Sequence, residues 1–247
     1  MKDQSILING LKAFGLDISD RQTMQFEKYY EMLVEKNKVM NLTAITDYDE
    51  VMLKHFVDSL SIAKVIMEDN NVAELFNNEN CSLLDLGTGA GFPGIPIKIM
   101  FPKLKVTLMD SLNKRINFLN EVIAELELDN VETVHARAEE FARKPEYREK
   151  FDFVVSRAVA RMSTLTEFCF AYVKKGGYFL PYKAGGASEE IQEGITAISI
   201  LGGKLDKILE FELPGSDISR CIPVVKKVNC TPDKYPRVGR KAEKNPL

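Results

Sequence analysis

Residues 83–96 read LLDLGTGAGFPGIP, and this stretch decides the fold. An apolar run ends in Asp85, three glycines follow at every second position, and a helical pattern begins at Gly94. Glycine permits a sharp backbone turn and the close approach of a ligand that a Cβ atom would block. The amide groups at the start of a helix attract a carboxylate or a phosphate. The stretch therefore predicts a strand, a glycine turn and a helix start that together cradle a cofactor.

Two cofactors fit this cradle. The pattern D-x-G-x-G-x-G, formed by Asp85, Gly87, Gly89 and Gly91, resembles the first motif of class I methyltransferases that use S-adenosylmethionine (SAM). The same residues contain the dinucleotide fingerprint G-x-G-x-x-G, which begins at Gly89. Asp110 follows roughly 20 residues later, where either cofactor would place a carboxylate for its ribose hydroxyls. The motif alone leaves SAM and NAD open.

The composition is that of a globular protein. A chain of 247 residues can bury a substantial core and suits one α/β domain with an appendage. No apolar run approaches the ~20 residues of a membrane span, and the N-terminus lacks a signal-peptide pattern, so we expect a cytoplasmic protein. Four scattered cysteines and two distant histidines predict buried free thiols and no metal site.

The net charge of −3 conceals an asymmetry along the chain. Residues 218–247 hold eight basic and two acidic side chains, so this end is strongly positive and the remainder is acidic. A basic end on an acidic body indicates either a local site for a polyanion or a solubilising tail. Charge alone favours neither interpretation.

The N-terminal part of the chain has helical patterns. Ser19, followed three residues later by Gln22, is typical of a capping box, and apolar residues then recur at helical spacing. A further helix is predicted to begin at Asp47 or Asp49. Residues 68–80 are mostly polar and predict a connector with a short apolar patch.

From Cys81 onward, apolar runs alternate with helical patterns, which indicates a mostly parallel sheet covered on both faces. The last two runs are separated by a turn that contains Pro214 and Gly215, which predicts an antiparallel hairpin. The predicted strands are 82–86, 105–109, 131–134, 151–155, 178–181, 205–211 and 222–228, and helical segments fall between the first six at 95–100, 113–126, 139–143, 162–173 and 189–201.

Five crossover units followed by a hairpin predict a seven-stranded, Rossmann-like sheet, the layout of class I SAM-dependent methyltransferases. A dehydrogenase would continue with a second mononucleotide-binding half, so the layout favours SAM over NAD. We expect a helical cap at residues 1–80, a SAM-binding domain at 81–230 and a basic tail at 231–247, joined in one compact unit.

Ligands of open parallel sheets bind outside the carboxyl ends of the strands. Asp110 and Ser111 end the second predicted strand, where a carboxylate suits ribose hydroxyls, although an aspartate there is often only a helix cap. Ala138 and Glu139 follow the third, where backbone groups and a carboxylate suit adenine, although an early glutamate also complements a helix dipole.

The fourth predicted strand ends in SRAVAR, residues 156–161. This segment holds neither the Pro-Cys nucleophile of pyrimidine carbon-5 methyltransferases nor the Asn- or Asp-Pro-Pro-aromatic clamp of amine methyltransferases. A target that needs neither device is a ring nitrogen with a free lone pair, such as guanine N7. Catalysis then consists of holding that nitrogen in line with the methyl group.

The chain is similar to the RsmG family, also called glucose-inhibited division protein B, which methylates guanine N7 in small-subunit (16S) ribosomal RNA. The resemblance implies SAM contacts at Gly87, Phe92, Asp110, Ala138, Glu139 and Arg157. Phe92 would otherwise be read as core packing. The matching segments are 41–43, 55–59, 84–96, 110–111, 114–115, 138–139, 156–158, 182–183 and 235–237.

The tail departs from the family pattern. Gly239 comes one residue early, and Ala242 stands where proline is common. Lys244, Pro246 and Leu247 keep the family's ending.

The resemblance also implies an RNA partner, the 16S ribosomal RNA or the small subunit, and we expect a monomer without a membrane partner. Phosphates would be bound by basic side chains on one face, since such contacts give affinity without sequence information. The candidates are Arg115, Arg157, Arg161, Lys183, Arg220 and Arg237.

The target guanine would be positioned by Asn41, His55, Arg157 and Lys183 if the N-terminal helices cover the strand ends. A histidine on an apolar helix, however, is more often buried and hydrogen-bonded than catalytic. Arg157 suits either the cofactor or the RNA. Two alternatives remain, an NAD-dependent oxidoreductase and a non-catalytic RNA- or ribosome-binding protein that responds to SAM.

Overall fold

The computed structural model describes residues 2–157, 160–239 and 241–247. Ala158 of the matching segment 156–158 and Arg240 of the basic tail lie outside the described residues. The strands are β1 (Ser82–Leu86), β2 (Lys105–Asp110), β3 (Val131–His135), β4 (Phe151–Arg157), β5 (Val173–Ala184), β6 (Gly203–Glu212) and β7 (Ser219–Lys227). The helices are α1 (Ser5–Ala13), α2 (Asp20–Met40), α3 (Tyr48–Val51), a π-helical segment (Met52–Val57), α4 (Ile62–Glu68), α5 (Asn70–Phe76), α6 (Gly94–Met100), α7 (Asn113–Glu125), α8 (Ala138–Phe141), α9 (Met162–Phe170), α10 (Ser188–Ile200) and α11 (Lys241–Lys244).

The seven strands form one sheet in the order β3-β2-β1-β4-β5-β7-β6. Strands β1 to β5 pair in parallel, whereas β7 is antiparallel to both β5 and β6. The predicted fold class and the terminal hairpin are therefore confirmed. Parallel pairing brings the carboxyl ends of β1 to β5 to one edge of the sheet, which is where the sequence places its polar residues.

Side chains alternate between two cores on opposite faces of the sheet, because successive residues of a strand point to opposite sides. Leu83 faces the first core and Leu84 the second, and Phe153 and Val154 divide in the same way. The first core also holds residues of α1 and α2, so the N-terminal helices cover the same face as α6 and α7. The second core holds residues of α9 and α10 and the tail residues Tyr235, Ala242 and Leu247.

The N-terminal helices form where their capping residues predict them. Ser19 caps α2 in a complete capping box with Gln22, and the Asp47 carboxylate accepts the amide hydrogen of Glu50 at the start of α3. The predicted connector over residues 68–80 is wrong, because α5 occupies most of it.

Helix α5 is stabilised at both its cap and its apolar face. The Asp69 carboxylate accepts the amide hydrogens of Asn71 and Val72. Val72 and Phe76 are four residues apart, both are buried, and they lie on one face of the helix. Because the segment is mostly polar, the sequence pattern did not reveal this apolar helix face.

The tail is held to the body through backbone carbonyls. Arg148 donates to the carbonyl oxygens of Thr231 and Tyr235 at 2.8 and 3.0 Å, and Arg143 donates to that of Pro236 at 2.9 Å. These hydrogen bonds use the backbone of residues 231–236, not their side chains.

The cysteines are all free, but the expectation that all four are buried is wrong for Cys230, which is exposed. No helix within the described ranges is long and apolar enough to cross a membrane. Among the residues that the structure describes, no three histidine, cysteine or acidic side chains group as a metal site.

Candidate cofactor and substrate site

The buried carboxyl group of Asp85 fixes the glycine turn. Asp85 is fully buried, and its Oδ2 accepts hydrogen bonds from the Gly94 amide at 2.8 Å and from the Thr88 hydroxyl at 2.6 Å. Burial raises the pKa of Asp85 to about 6, against the opposing effect of these hydrogen bonds. Its Oδ1 is also buried and has no hydrogen-bond partner among the described residues. This oxygen is therefore an unused hydrogen-bond acceptor next to the glycine turn.

The glycines of the turn serve different purposes. Gly89 has a φ of +62°, its amide donates to Asp110 Oδ2 at 3.0 Å, and the space where a Cβ would lie is open. Gly91 has a φ of +106°, and a Cβ there would lie 2.6 Å from the hydroxyl oxygen of Tyr29. The absence of a side chain at Gly91 thus lets α2 approach the turn closely, whereas the space beside Gly89 stays open.

A first cavity of about 320 Å³ lies at the carboxyl ends of β1, β2 and β3. It has a volume within the range of small-molecule sites. It brings together five predicted cofactor residues, and Arg115 lines it as well. The five are Gly87, Asp110, Ser111, Ala138 and Glu139.

Asp110, which lines this cavity, is held in place by hydrogen bonds. It is 3 % exposed, its Oδ1 accepts from the Leu112 amide at 2.9 Å, and its Oδ2 accepts from Gly89 and from Arg115. Tyr172 donates its hydroxyl hydrogen to the Ala138 carbonyl at 2.6 Å and so fixes the turn after β3. The carboxylate therefore lies between the glycine turn and the backbone that follows β3. This order fits an adenosyl cofactor, whose ribose hydroxyls lie between two polar ends.

Five other predicted cofactor residues do not line the first cavity. Asp85 and Gly91 stabilise the turn from behind, and Gly89 lies at its tip. Phe92 is buried against the N-terminal helices, where its ring centroid lies 5.4 Å from that of Tyr29. Arg157 lines a different cavity.

This second cavity, of about 460 Å³, lies at the carboxyl ends of β4 and β5. Three of the four residues predicted to position a base line it, namely His55, Arg157 and Lys183. Asn41 does not; it ends α2 in the left-handed conformation and is exposed. The full lining is Ile45, Lys54, His55, Asp58, Arg157, Tyr182, Lys183, Ala184 and Arg220.

Asp58 organises the arginines of the second cavity. It is 4 % exposed, and its two oxygens accept from Arg157 Nη1 at 3.0 Å and from Arg220 Nε at 2.9 Å. In the antiparallel pairing of β5 and β7, Arg220 lies opposite Ala184, so the start of β7 lies at the same edge of the sheet as the end of β5. Sequence reasoning assigned no role to Asp58, although residues 55–59 were among the matching segments and carried the signal.

The His55 side chain lines the second cavity, and each of its ring nitrogens lies within hydrogen-bond distance of another residue. Its ring stacks on Phe92 with centroids 4.6 Å apart. Nδ1 lies 3.1 Å from the Lys54 carbonyl oxygen and 3.2 Å from Arg157 Nη2, and Nε2 lies 2.8 Å from the Thr43 hydroxyl oxygen. Burial, aided by the charge of Arg157, lowers the pKa of His55 to about 4, so the ring is neutral near pH 7.

The predicted RNA-binding side chains are spread over the molecule. Lys183 and Arg220 share the second cavity, where Lys183 donates to Glu190 at 2.7 Å. Arg115 lies at the first cavity, and Arg161 forms a surface ion pair with Glu193. Arg237 pairs with the fully buried Glu167.

Comparison with known proteins assigns the chain to a family. A family model described as rRNA small subunit methyltransferase G (GidB) matches residues 22–218. The chain belongs to this family. A relative from Lachnoclostridium phytofermentans named Ribosomal RNA small subunit methyltransferase G is 55% identical over 100% of this chain and 98% of its own length. A relative of the same name from Acetivibrio thermocellus is 51% identical over 100% of this chain and 98% of its own length.

Solved structures share the fold at low identity. A mutant of MtNAS has a TM-score of 0.52 at 14% identity, and the match covers 84% of this chain and 76% of that one. TrmN from Thermus thermophilus has a TM-score of 0.50 at 14% identity, over 72% of this chain and 53% of its own. With the strand order above, the fold is that of the class I SAM-dependent methyltransferases.

The contact between α2 and the glycine turn yields a first prediction. Tyr29 is fully buried and donates to the Ala90 carbonyl at 2.6 Å. Tyr29→Phe leaves that buried acceptor unpaired, so we expect the free energy of unfolding to fall by ~1–3 kcal/mol. Affinity for S-adenosylhomocysteine, measured by calorimetry, should fall as well because the turn loosens.

The control is Tyr30→Phe, which removes a hydroxyl of the same helix that donates to the Thr46 carbonyl at 3.1 Å, away from the turn. It should affect stability without affecting ligand affinity. Unchanged affinity in Tyr29→Phe would show that α2 does not position the turn.

A second prediction concerns pH. Since the pKa of His55 lies near 4 in the fold and near 6.5 in the unfolded chain, the unfolded state binds more protons between these values and acid favours unfolding. The stability advantage of the wild type over His55→Gln should therefore shrink by up to ~3 kcal/mol between pH 7 and pH 4. Urea titrations at both pH values measure it.

The raised pKa of Asp85 acts in the opposite direction, but it is common to both proteins and cancels in the difference. His135→Gln, at an exposed histidine, controls for the loss of an imidazole at the surface. A difference between wild type and His55→Gln that is independent of pH would contradict the neutral, buried imidazole.

Proposed function

We propose that the chain transfers a methyl group from SAM to N7 of a guanine in small-subunit ribosomal RNA. The observation that carries this proposal is the first cavity, in which a glycine turn, a fixed carboxylate and the Ala138–Glu139 turn follow one another along three adjacent strand ends. The names of the relatives, which specify ribosomal RNA small subunit methyltransferase G, support the substrate.

The residues of the first cavity would each hold one part of the cofactor. Gly87 suits the amino-acid portion, the Asp110 carboxylate suits the ribose hydroxyls, and Ala138 with Glu139 suits the adenine. When bound, SAM supplies a methyl group on a positively charged sulfur, which makes that carbon an electrophile.

The second cavity is the proposed guanine site. It lies at β4 and β5, next to β1 in the sheet, so the two cavities occupy adjoining parts of one edge. Arg157, Lys183 and Arg220 present donors there, and the O6 atom of guanine accepts hydrogen bonds. Asp58 sets the orientation of both arginines before the base arrives.

The reaction at N7 needs no general base, because N7 carries a lone pair and no proton. His55 is neutral and engaged at both nitrogens, which suits a residue that shapes the cavity and abstracts nothing. The contribution of the protein is alignment of N7 with the methyl carbon at near-attack distance.

The basic lining of the second cavity also suits RNA phosphates. Lys54, from the π-helical segment, lines this cavity together with Arg220 and Lys183. Such contacts give salt-dependent affinity, while base choice comes from the unstacked guanine. We propose further that the protein acts as a monomer in the cytoplasm.

The direct test is transfer of tritium from methyl-labelled SAM to small-subunit ribosomal RNA and subunits from cells that lack this gene, followed by nucleoside analysis. We expect label in 7-methylguanosine and its loss in Gly87→Asp. Gly215→Asp is the matched control, because Gly215 has a similar φ of +76° but lies in the β6–β7 turn.

Label in another nucleoside would contradict the guanine-N7 assignment. Absence of label on naked RNA and on subunits at every stage of assembly, with S-adenosylhomocysteine still bound, would favour the non-catalytic RNA-binding alternative. Binding of NAD in place of S-adenosylhomocysteine would contradict the cofactor.

A further prediction separates the second cavity from general surface charge. Lys54 pairs with Glu50 and Lys64 pairs with Glu68, each across one helical turn and at similar exposure, but only Lys54 lines the cavity. Lys54→Gln should weaken binding to small-subunit RNA and lower the slope of log K against log salt by about 1. Lys64→Gln should change neither, and equal effects of the two variants would contradict a localised RNA site.

A further inference from the structure

The C-terminal segment, residues 241–247, supplies part of the wall of the first cavity. Glu243 of α11 and Phe168 of α9 line this cavity together with Ala138 and Glu139. Every other lining residue comes from the strand ends or the turns and helix starts that follow them. The tail, which sequence reasoning connected with RNA, therefore reaches the cofactor site.

A buried ion pair anchors this segment. Glu167 of α9 is fully buried and accepts from the Arg237 backbone amide at 2.7 Å, from Nη2 at 2.6 Å and from Nε at 2.9 Å. Arg237 Nη2 also donates to the Asn245 carbonyl at 2.9 Å. Arg237 thus attaches the residues on both sides of α11 to helix α9.

Helix α11 itself is seated against α9. Ala242 is fully buried, and its carbonyl accepts from the Thr164 hydroxyl at 3.2 Å. Leu247 packs against the second core. The small side chain at position 242 allows this seating, and the next residue, Glu243, lines the cavity.

We propose that Glu243 is a cofactor-binding residue that recognises the 6-amino group of the adenine, and that the tail closes the adenine end of the first cavity. The inference rests on the proposed function. Asp110 at β2 suits the ribose and Gly87 at β1 suits the amino-acid part, so the adenine belongs at β3. Helix α9, which carries Phe168, contacts both α8, the helix that follows β3, and α11, which carries Glu243.

The chemistry of this end matches an adenine. Its 6-amino group only donates hydrogen bonds, and an ionised carboxylate only accepts them. Phe168, which lines the same cavity, offers an apolar surface for the ring. Glu139 is a second carboxylate at the same end, so the test must separate the two.

The test compares binding of S-adenosylhomocysteine and of its 6-oxo analogue, S-inosylhomocysteine, by calorimetry on the full-length protein. The wild type should prefer the adenine form, because a carbonyl oxygen would face the carboxylate in the analogue. In Glu243→Gln we expect this preference to fall about tenfold, since the amide can donate to the 6-oxo group. The control is Glu140→Gln, an exposed position on α8 that does not line the cavity.

A preference that is unchanged in Glu243→Gln, or equal losses for both ligands, would overturn the proposal. A loss of preference in Glu139→Gln alone would also overturn it and move the role to that residue. If wild-type protein bound neither ligand, the proposed function itself would fail, which is a distinct result.

Discussion

The buried carboxyl group of Asp85 is the constraint on which both cavities depend. By accepting hydrogen bonds from Gly94 and Thr88, it closes the turn between β1 and α6. The same turn presents Gly87 to the first cavity and Phe92 to the stack with His55 at the second. One polar group buried under a glycine turn therefore sets the relation between the first and the second cavity.

The N-terminal helices complete the site as well as covering the sheet. Tyr29 reaches the carbonyl of Ala90 in the turn, and Asp58 holds Arg157 and Arg220 at the edge formed by β4 and β7. Burying an aspartate between two arginines carries a desolvation cost that a purely structural core would avoid. The arrangement is explained if the arginines must be oriented before an RNA base enters.

Local signals in the sequence predicted the fold, and they named residues that line the first cavity. Alternating apolar and helical runs predicted the parallel sheet with its terminal hairpin, and strand ends identified Asp110, Ala138 and Glu139, because these positions depend on pattern and on the edge of a parallel sheet alone. Tyr29 and Asp58 were assigned no role, because each acts through a contact between segments far apart in sequence. The basic side chains were the least predictable, since charge does not reveal whether an arginine faces solvent or, like Arg237, a buried glutamate.

In the proposed arrangement, cofactor and base occupy adjoining cavities at one edge of the sheet. A crystal structure of the protein with S-adenosylhomocysteine and a fragment of small-subunit ribosomal RNA tests it most directly. We expect the nucleoside beside Asp110 and Ala138, and an unstacked guanine among Arg157, Lys183 and Arg220 with N7 facing the sulfur. A guanine bound outside the second cavity would rule out this arrangement.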